Sequence, residues 1–325
     1  MSSRGSSRIS LAAMSTVGGG LRRPECVLCT AGGDLYVSDW DGGVCLIRAN
    51  GEQQPFLASN AAVGLRPNGI ALLEDGSFLL ANLGDDGGVW HLRRDGVVEP
   101  FVIEVEGKPL PPSNFVLPDR DGRVWITVST SLTPRAAAYR ADVADGFVVV
   151  VDGQGARIAA TGLGYANEVR VHPGGEWLYV NETFGRRLSR MKIHDNGELG
   201  APETVTEFGE GTFPDGLCFD EEGGIWIVSI VSNRIIRLAP DGVQQLVVED
   251  ADREHLQAVE SAFQSGTMGR PHLDKVVSRR LGNISSIAFG GPGRRTAYVG
   301  CLLGDHLVSF ESPVAGVEPV HWRVP

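Results

Sequence analysis

The sequence lacks most of the features that assign a chain to a class at once. No apolar run approaches the ~18 residues of a membrane-spanning helix, so no membrane partner is expected. Positive charge is in deficit: 29 Lys and Arg stand against 40 Asp and Glu, a formal net charge of −11. That balance excludes a nonspecific nucleic-acid surface, which needs cationic excess, and is compatible with a divalent cation. Cysteines are few and odd in number (Cys26, Cys29, Cys45, Cys218 and Cys301). They form no disulfide framework, and Cys26-x-x-Cys29 is half a zinc site with no second pair to complete it. Buried, reduced thiols are the expectation. No Gly-x-Ser-x-Gly elbow surrounds Ser129, Thr130 and Ser131, so a serine nucleophile is not expected. The Gly18–Gly20 run lacks the Lys-Ser/Thr sequel of a phosphate loop. The opening MSSRGSSRIS has no apolar signal core, which points to a cytoplasmic protein with a disordered tail over residues 1–8.

What the chain has in quantity is glycine, 43 residues, placed before short apolar strands. Six such segments recur: GGDLYVSD (32–39), DGSFLLAN (75–82), DGRVWITV (121–128), GGEWLYVN (174–181), GGIWIVSI (223–230) and GRRTAYVG (293–300). Each follows a partner strand: ECVLCT (25–30), NGIALL (68–73), NFVLPD (114–119), NEVRVH (167–172), DGLCFD (215–220) and ISSIAFG (284–290). Third strands follow at 44–51, 89–96, 188–197 and 235–242, and fourth strands at 54–57, 98–102, 148–152 and 244–249. Four short antiparallel strands repeating every ~40–50 residues describe a propeller blade. The fold expected is all-β: one six-bladed β-propeller domain over 9–325 with a short helical insertion. Two stretches break the rhythm, 129–146 in blade three and 250–282 after blade five. In the second, Leu256, Val259 and Phe263 share one face of a helix, which serves either as a lid or as the cap of an inter-blade groove.

Polar residues stand where the first strand of each blade begins: Glu25, Asn68, Asn114, Asn167, Asp215 and the Asn283–Ser286 stretch. In a propeller these starts converge on the channel. Two carboxylates with amide oxygens make a hard, oxygen-only donor set that suits Ca²⁺ or Mg²⁺, and Mn²⁺ or Zn²⁺ less selectively. Pro and Gly beside several of them (Pro67-Asn68-Gly69, Pro214-Asp215-Gly216) suggest turns that aim the side chains. His172 and His194 read as solvated or structural rather than as acid–base groups.

Three segments, AFGGPGRRTAYVG (288–300), YANEVRVHPGGEWLYVNETFGRRLSRM (165–191) and FPDGLCFDEEGGIWIV (213–228), resemble in order and spacing the senescence marker protein/gluconolactonase (regucalcin-like) propellers. The resemblance runs from about residue 20 to 310. It implies one divalent metal, Ca²⁺ first, held by Glu25, Asn167 and Asp215, with Asp215 also the acid–base residue. It implies a contact from Asn114 to the substrate or the metal, and Asn114, Asn68 and Phe115 are taken as substrate-binding residues. It further implies a hydrolase opening a small-molecule lactone. One departure matters. Where sugar lactonases of the family have RPND, this chain has PPSNF, so Pro112 replaces the Arg and Phe115 the Asp. That moves the expected substrate away from simple sugar-acid lactones. NETFGRR (181–187) also resembles the strictosidine synthase-like propellers. A non-catalytic binding propeller, and a lyase or isomerase on the same metal site, remain as alternatives.

Overall fold

The computed structural model describes residues 8–61, 63–275 and 277–324. Residues 1–7, which hold most of the tail expected to be disordered, lie outside it. The chain forms six four-stranded antiparallel sheets arranged as the blades of a propeller. The inner strands are Val27–Cys29, Pro67–Leu72, Phe115–Pro118, Ala166–Val171, Thr212–Phe219 and Ile284–Gly290, in blades one to six. Blade three differs from the sequence expectation: Gly146–Asp152 is its third strand and Gly155–Leu163 its outer one. Blade six is completed by a segment that the repeat pattern does not reveal. Ser15–Val17 pairs with Leu307–Ser309 and becomes its outer strand.

In blades three and five a buried carboxylate holds the Gly-containing hairpin. In blade five, Asp220 Oδ1 accepts from the N–H groups of Glu222 and Gly224, and Oδ2 accepts from Trp226 Nε1 at 2.8 Å and Arg237 Nε at 2.7 Å. Asp119 does the same in blade three for Asp121, Arg123 and Trp125. Trp125 and Trp226 are therefore fully buried with their indole N–H groups satisfied.

Four of the six inner strands are irregular at one place each. Register slips between Pro67 and Ile70, Ala166 and Val169, Pro214 and Leu217, and Ile284 and Ser286. A bulge leaves residues outside the ladder and re-aims their side chains. The residues so released are Asn68, Asn167, Asp215 and Ser285. Asn68, Asn167 and Asp215 thus lie within strands, not in the turns before them. The glycines that follow have a matching role. A Cβ on Gly69 would lie 2.5 Å from Phe115 Cδ2 and 2.7 Å from its Cα, and one on Gly216 would lie 2.5 Å from Ser285 O. Neither glycine has a positive φ; each is small so that adjacent inner strands can approach.

The helical insertion holds α1, Arg253–Gln264, and a single turn α2, Arg270–Leu273. Asp252 caps α1 by accepting from His255 N at 2.8 Å. Val259 and Phe263 are buried as expected, while Leu256 is half-buried against Gly211. Phe263 packs against Phe184 of blade four and Phe213 of blade five, and Glu260 pairs with Arg186. The helix thus covers the junction of these two blades. The 129–146 insertion reaches the same cluster, with Tyr139 stacked on Phe184 at 4.5 Å.

Replacing Gly69 by Ala is expected to cost about 1–3 kcal/mol by overpacking. It should appear as a lower urea midpoint. An unchanged midpoint would refute the close-approach role.

Candidate functional site

Five of the six residues singled out from the sequence meet at the end of the channel where the inner strands begin. Glu25, Asn68, Asn114, Asn167 and Asp215 are each at most 4% exposed. Asn68 links them. Its Nδ2 donates to Glu25 Oε1 at 2.9 Å and to Asn114 O at 3.1 Å, and its Oδ1 accepts from Arg23 Nη1 at 2.9 Å. With both ends of the amide engaged, Asn68 orients Glu25 and has little left to offer a substrate. Asn167 is oriented by Thr183, whose hydroxyl accepts from Nδ2 at 3.0 Å, so its carbonyl oxygen is turned away from that bond.

Glu25 Oε2, Asn167 Oδ1 and Asp215 Oδ1 are buried without a hydrogen-bond partner. Buried acceptors are normally satisfied; these three are among eight buried side-chain oxygens without a partner among the described residues, and they come from three blades at one end of the channel. All three are hard oxygen donors, and an oxygen-seeking divalent cation fits them. His, Cys, Asp and Glu alone form no group of three among the described residues; the set depends on the asparagine oxygen.

Phe115 is placed elsewhere. Its ring packs on Gly69, with the Arg170 guanidinium carbon 4.7 Å from the ring centre. It lines a cavity of about 360 Å³ that also takes in His172, Phe289 and the segment Val317–His321, but none of Glu25, Asn167 or Asp215. Asn114 and Phe115 are neighbours in the chain, but their side chains serve different parts of the channel. His172 is half-buried in that same region, with Tyr179 and Phe219, and His194 is exposed. All five cysteines are free thiols.

Two sets of charged groups escaped the sequence reading. The first is Glu168, fully buried, with Oε2 3.1 Å from Arg170 Nη2 and Oε1 unpartnered. Its signal was the NEVR run, in which Glu168 and Arg170 are two residues apart along a strand and share a face. The second is Arg23 and Arg135. Arg23 lies over Trp40 at 4.2 Å, and Arg135 Nη2 donates to Ser129 Oγ at 3.2 Å and Tyr165 Oη at 3.1 Å. Arg135 belongs to the 129–146 insertion; no motif marked it.

The electrostatics follow from burial. Desolvation, joined by Glu168 and opposed by Arg23, pushes the Glu25 carboxyl up to about 8. Desolvation, then Glu25 and Glu168, holds the Asp215 carboxyl well above its usual range. Burial likewise raises Glu168. A positive ion among these groups would oppose all three shifts.

Residues 23–251 match the model of the SMP-30/gluconolactonase/LRE-like region. The chain belongs to that family. Among curated relatives it is 30% identical over 192 residues to a 6-deoxy-6-sulfogluconolactonase of Pseudomonas putida, a match covering 55% of this chain and 57% of the relative. The chain thus spans little more than half of that relative's length. A gluconolactonase of Xanthomonas campestris superposes with a TM-score of 0.68 at 19% identity over 94% of each chain. A calcium-binding protein, regucalcin, of Agrobacterium tumefaciens superposes with a TM-score of 0.61 at 16% identity over 95% of this chain and 93% of its own. At such identities the two structures establish the shared fold.

A pH prediction follows for the protein stripped of divalent cations. Folded Glu25 keeps its proton to about 8, whereas the unfolded group loses it near 4.5. The folded state therefore binds more protons between these values, and stability falls as pH rises through them. His321, whose proton affinity burial lowers to about 4, acts in the opposite sense below about 6.5. Between about 6.5 and 8 the carboxyl effect stands alone, worth up to ~1.4 kcal/mol per pH unit per proton. Melting temperature in EDTA should fall across that window, and saturating CaCl₂ should flatten the fall. A rise in EDTA would refute the assignment.

Proposed function

We propose that the protein is a divalent-cation-dependent hydrolase that opens a lactone. The observation that carries this reading is the trio of buried oxygens without partners on Glu25, Asn167 and Asp215. Membership of the family supports it. So do the activity named for the Pseudomonas putida relative and the calcium binding named for the Agrobacterium protein. Glu25, Asn167 and Asp215 would hold the cation, Ca²⁺ first by the hardness of the donors, with Mg²⁺, Mn²⁺ or Zn²⁺ as substitutes. When bound, the cation supplies Lewis acidity toward the ester carbonyl and its developing oxyanion.

The protein's own groups supply the rest. Asp215 takes the proton of the attacking water as its oxygen bonds to the acyl carbon. It returns that proton to the ring oxygen as the acyl C–O bond breaks, leaving a hydroxy acid. Cation ligation lowers a carboxylate's proton affinity, while burial beside Glu25 and Glu168 raises that of Asp215. The Arg23–Asn68–Glu25 chain keeps Glu25 from turning away. Asn114 Nδ2 has no protein partner among the described residues and is free to donate to the substrate. Pro112 offers no donor where sugar lactonases have Arg, which keeps the reading away from simple sugar-acid lactones.

No helix among the described residues is long and apolar enough to cross a membrane. A cytoplasmic location completes the reading and agrees with five free thiols.

Asp215→Asn should lower turnover of any accepted lactone by about 10²-fold or more, with the melting temperature kept. EDTA should abolish turnover and a divalent cation restore it. Full activity of the variant, or hydrolysis indifferent to chelation, would overturn the proposal.

A further inference from the structure

We infer that Arg23 and Arg135 form an anion-recognition pair beside the candidate metal centre. The substrate then carries a negatively charged substituent, a carboxylate, sulfonate or phosphate, in addition to its lactone ring. The inference rests on the lactone reading for the ring but not for the anion.

The two arginines differ from the rest of the chain. Every other buried or half-buried arginine among the described residues has a carboxylate oxygen within 4.0 Å; Arg123, Arg157, Arg186 and Arg237 are examples. Arg23 and Arg135 have none at that distance, and both are held by neutral groups. Arg23 bonds the Asn68 amide and lies over Trp40. Arg135 bonds two hydroxyls, lies 5.6 Å from the Tyr165 ring, and keeps Nη1 buried with no partner. A guanidinium fixed by neutral contacts keeps its charge and its remaining N–H groups for something else.

Charge balance favours the same conclusion. The charges at the site are Glu25, Asp215 and Glu168, against Arg170, Arg23 and Arg135. Glu168 is answered by Arg170 at 3.1 Å. A divalent cation answers Glu25 and Asp215. Arg23 and Arg135 then remain as two positive charges with nothing opposite them. They stand at one region: Arg23 bonds Asn68, which bonds Glu25, and Arg135 bonds Tyr165, two residues before Asn167. The arginine missing at Pro112 is thus replaced by positive charge from other positions in the chain.

The test compares δ-lactones bearing hydroxymethyl, carboxylate, sulfomethyl or phosphomethyl substituents. For the wild type, kcat/KM for the preferred anionic member should exceed that for the neutral one by roughly tenfold or more, mainly through KM. Added NaCl should shrink the ratio. Arg135→Gln should reduce the ratio by about tenfold. Arg140→Gln, which removes an exposed charge paired with Asp142 in the same insertion, should keep it. Independently of turnover, sulfate or phosphate at matched ionic strength should raise the melting temperature of the Ca²⁺-loaded wild type above its value in chloride, and should not do so for Arg135→Gln. A ratio near one, or one unchanged in Arg135→Gln, overturns the inference. So does an equal loss on neutral and anionic lactones, which would assign the arginine to the ester itself. If no lactone is hydrolysed but the Arg135-dependent sulfate or phosphate shift remains, the lactone reading fails and the anion site stands.

Discussion

Three carboxylates, Glu25, Glu168 and Asp215, are enclosed together where solvent does not screen them. Like charges in a low-dielectric interior are costly, and burial alone disfavours the ionised form of each. Much of the surrounding architecture manages that cost. Arg170 answers Glu168 directly. Asn68 gives Glu25 a hydrogen bond and connects it to Arg23. The bulged strand starts aim the groups inward, and Gly69 and Gly216 let neighbouring strands come close enough for the groups to meet. Four oxygens, on Glu25, Asn167, Glu168 and Asp215, still lack partners, an arrangement that suits the entry of positive charge.

The blade pattern was legible in the sequence because it arises from local chemistry. A carboxylate such as Asp220 needs its hairpin N–H groups and an indole nearby in sequence, so the motif is contiguous. The candidate metal ligands were legible because each sits at a repeated place in a blade. Other features were hidden because they depend on contacts between distant segments. Nothing local says that Phe115 packs under Gly69 and faces a separate cavity, one residue after Asn114 turns toward the site. Gly69 and Gly216 looked like turn glycines and are clearance glycines. Ser15–Val17 is a three-residue strand whose partner lies about 290 residues away, so no pattern within it could announce its role.

In the proposed reading the insertions give a shared scaffold its own specificity. Of the candidate metal ligands, Asn167 and Asp215 lie on inner strands and Glu25 two residues before one. The arginines lie outside that regular framework: Arg23 just before the first inner strand, Arg135 in an insertion. Tyr139, Phe184, Phe213 and Phe263 join both insertions to blades four and five in one aromatic cluster. On the proposed reading, chemistry falls to the repeated part of the fold and substrate choice to the parts that interrupt it.

The pairing of Ser15–Val17 with Leu307–Ser309 also sets an order of events during synthesis. A chain emerging from the ribosome makes residues 15–17 about 290 residues before their partner strand. Until then those residues have no ladder to join, and blade six does not exist to shield the flank of blade one. The earlier blades can assemble locally, but the ring becomes a ring only at the end. The nascent chain must therefore carry open strand edges through nearly the whole of its translation, a period in which pairing with a neighbouring chain competes with closure.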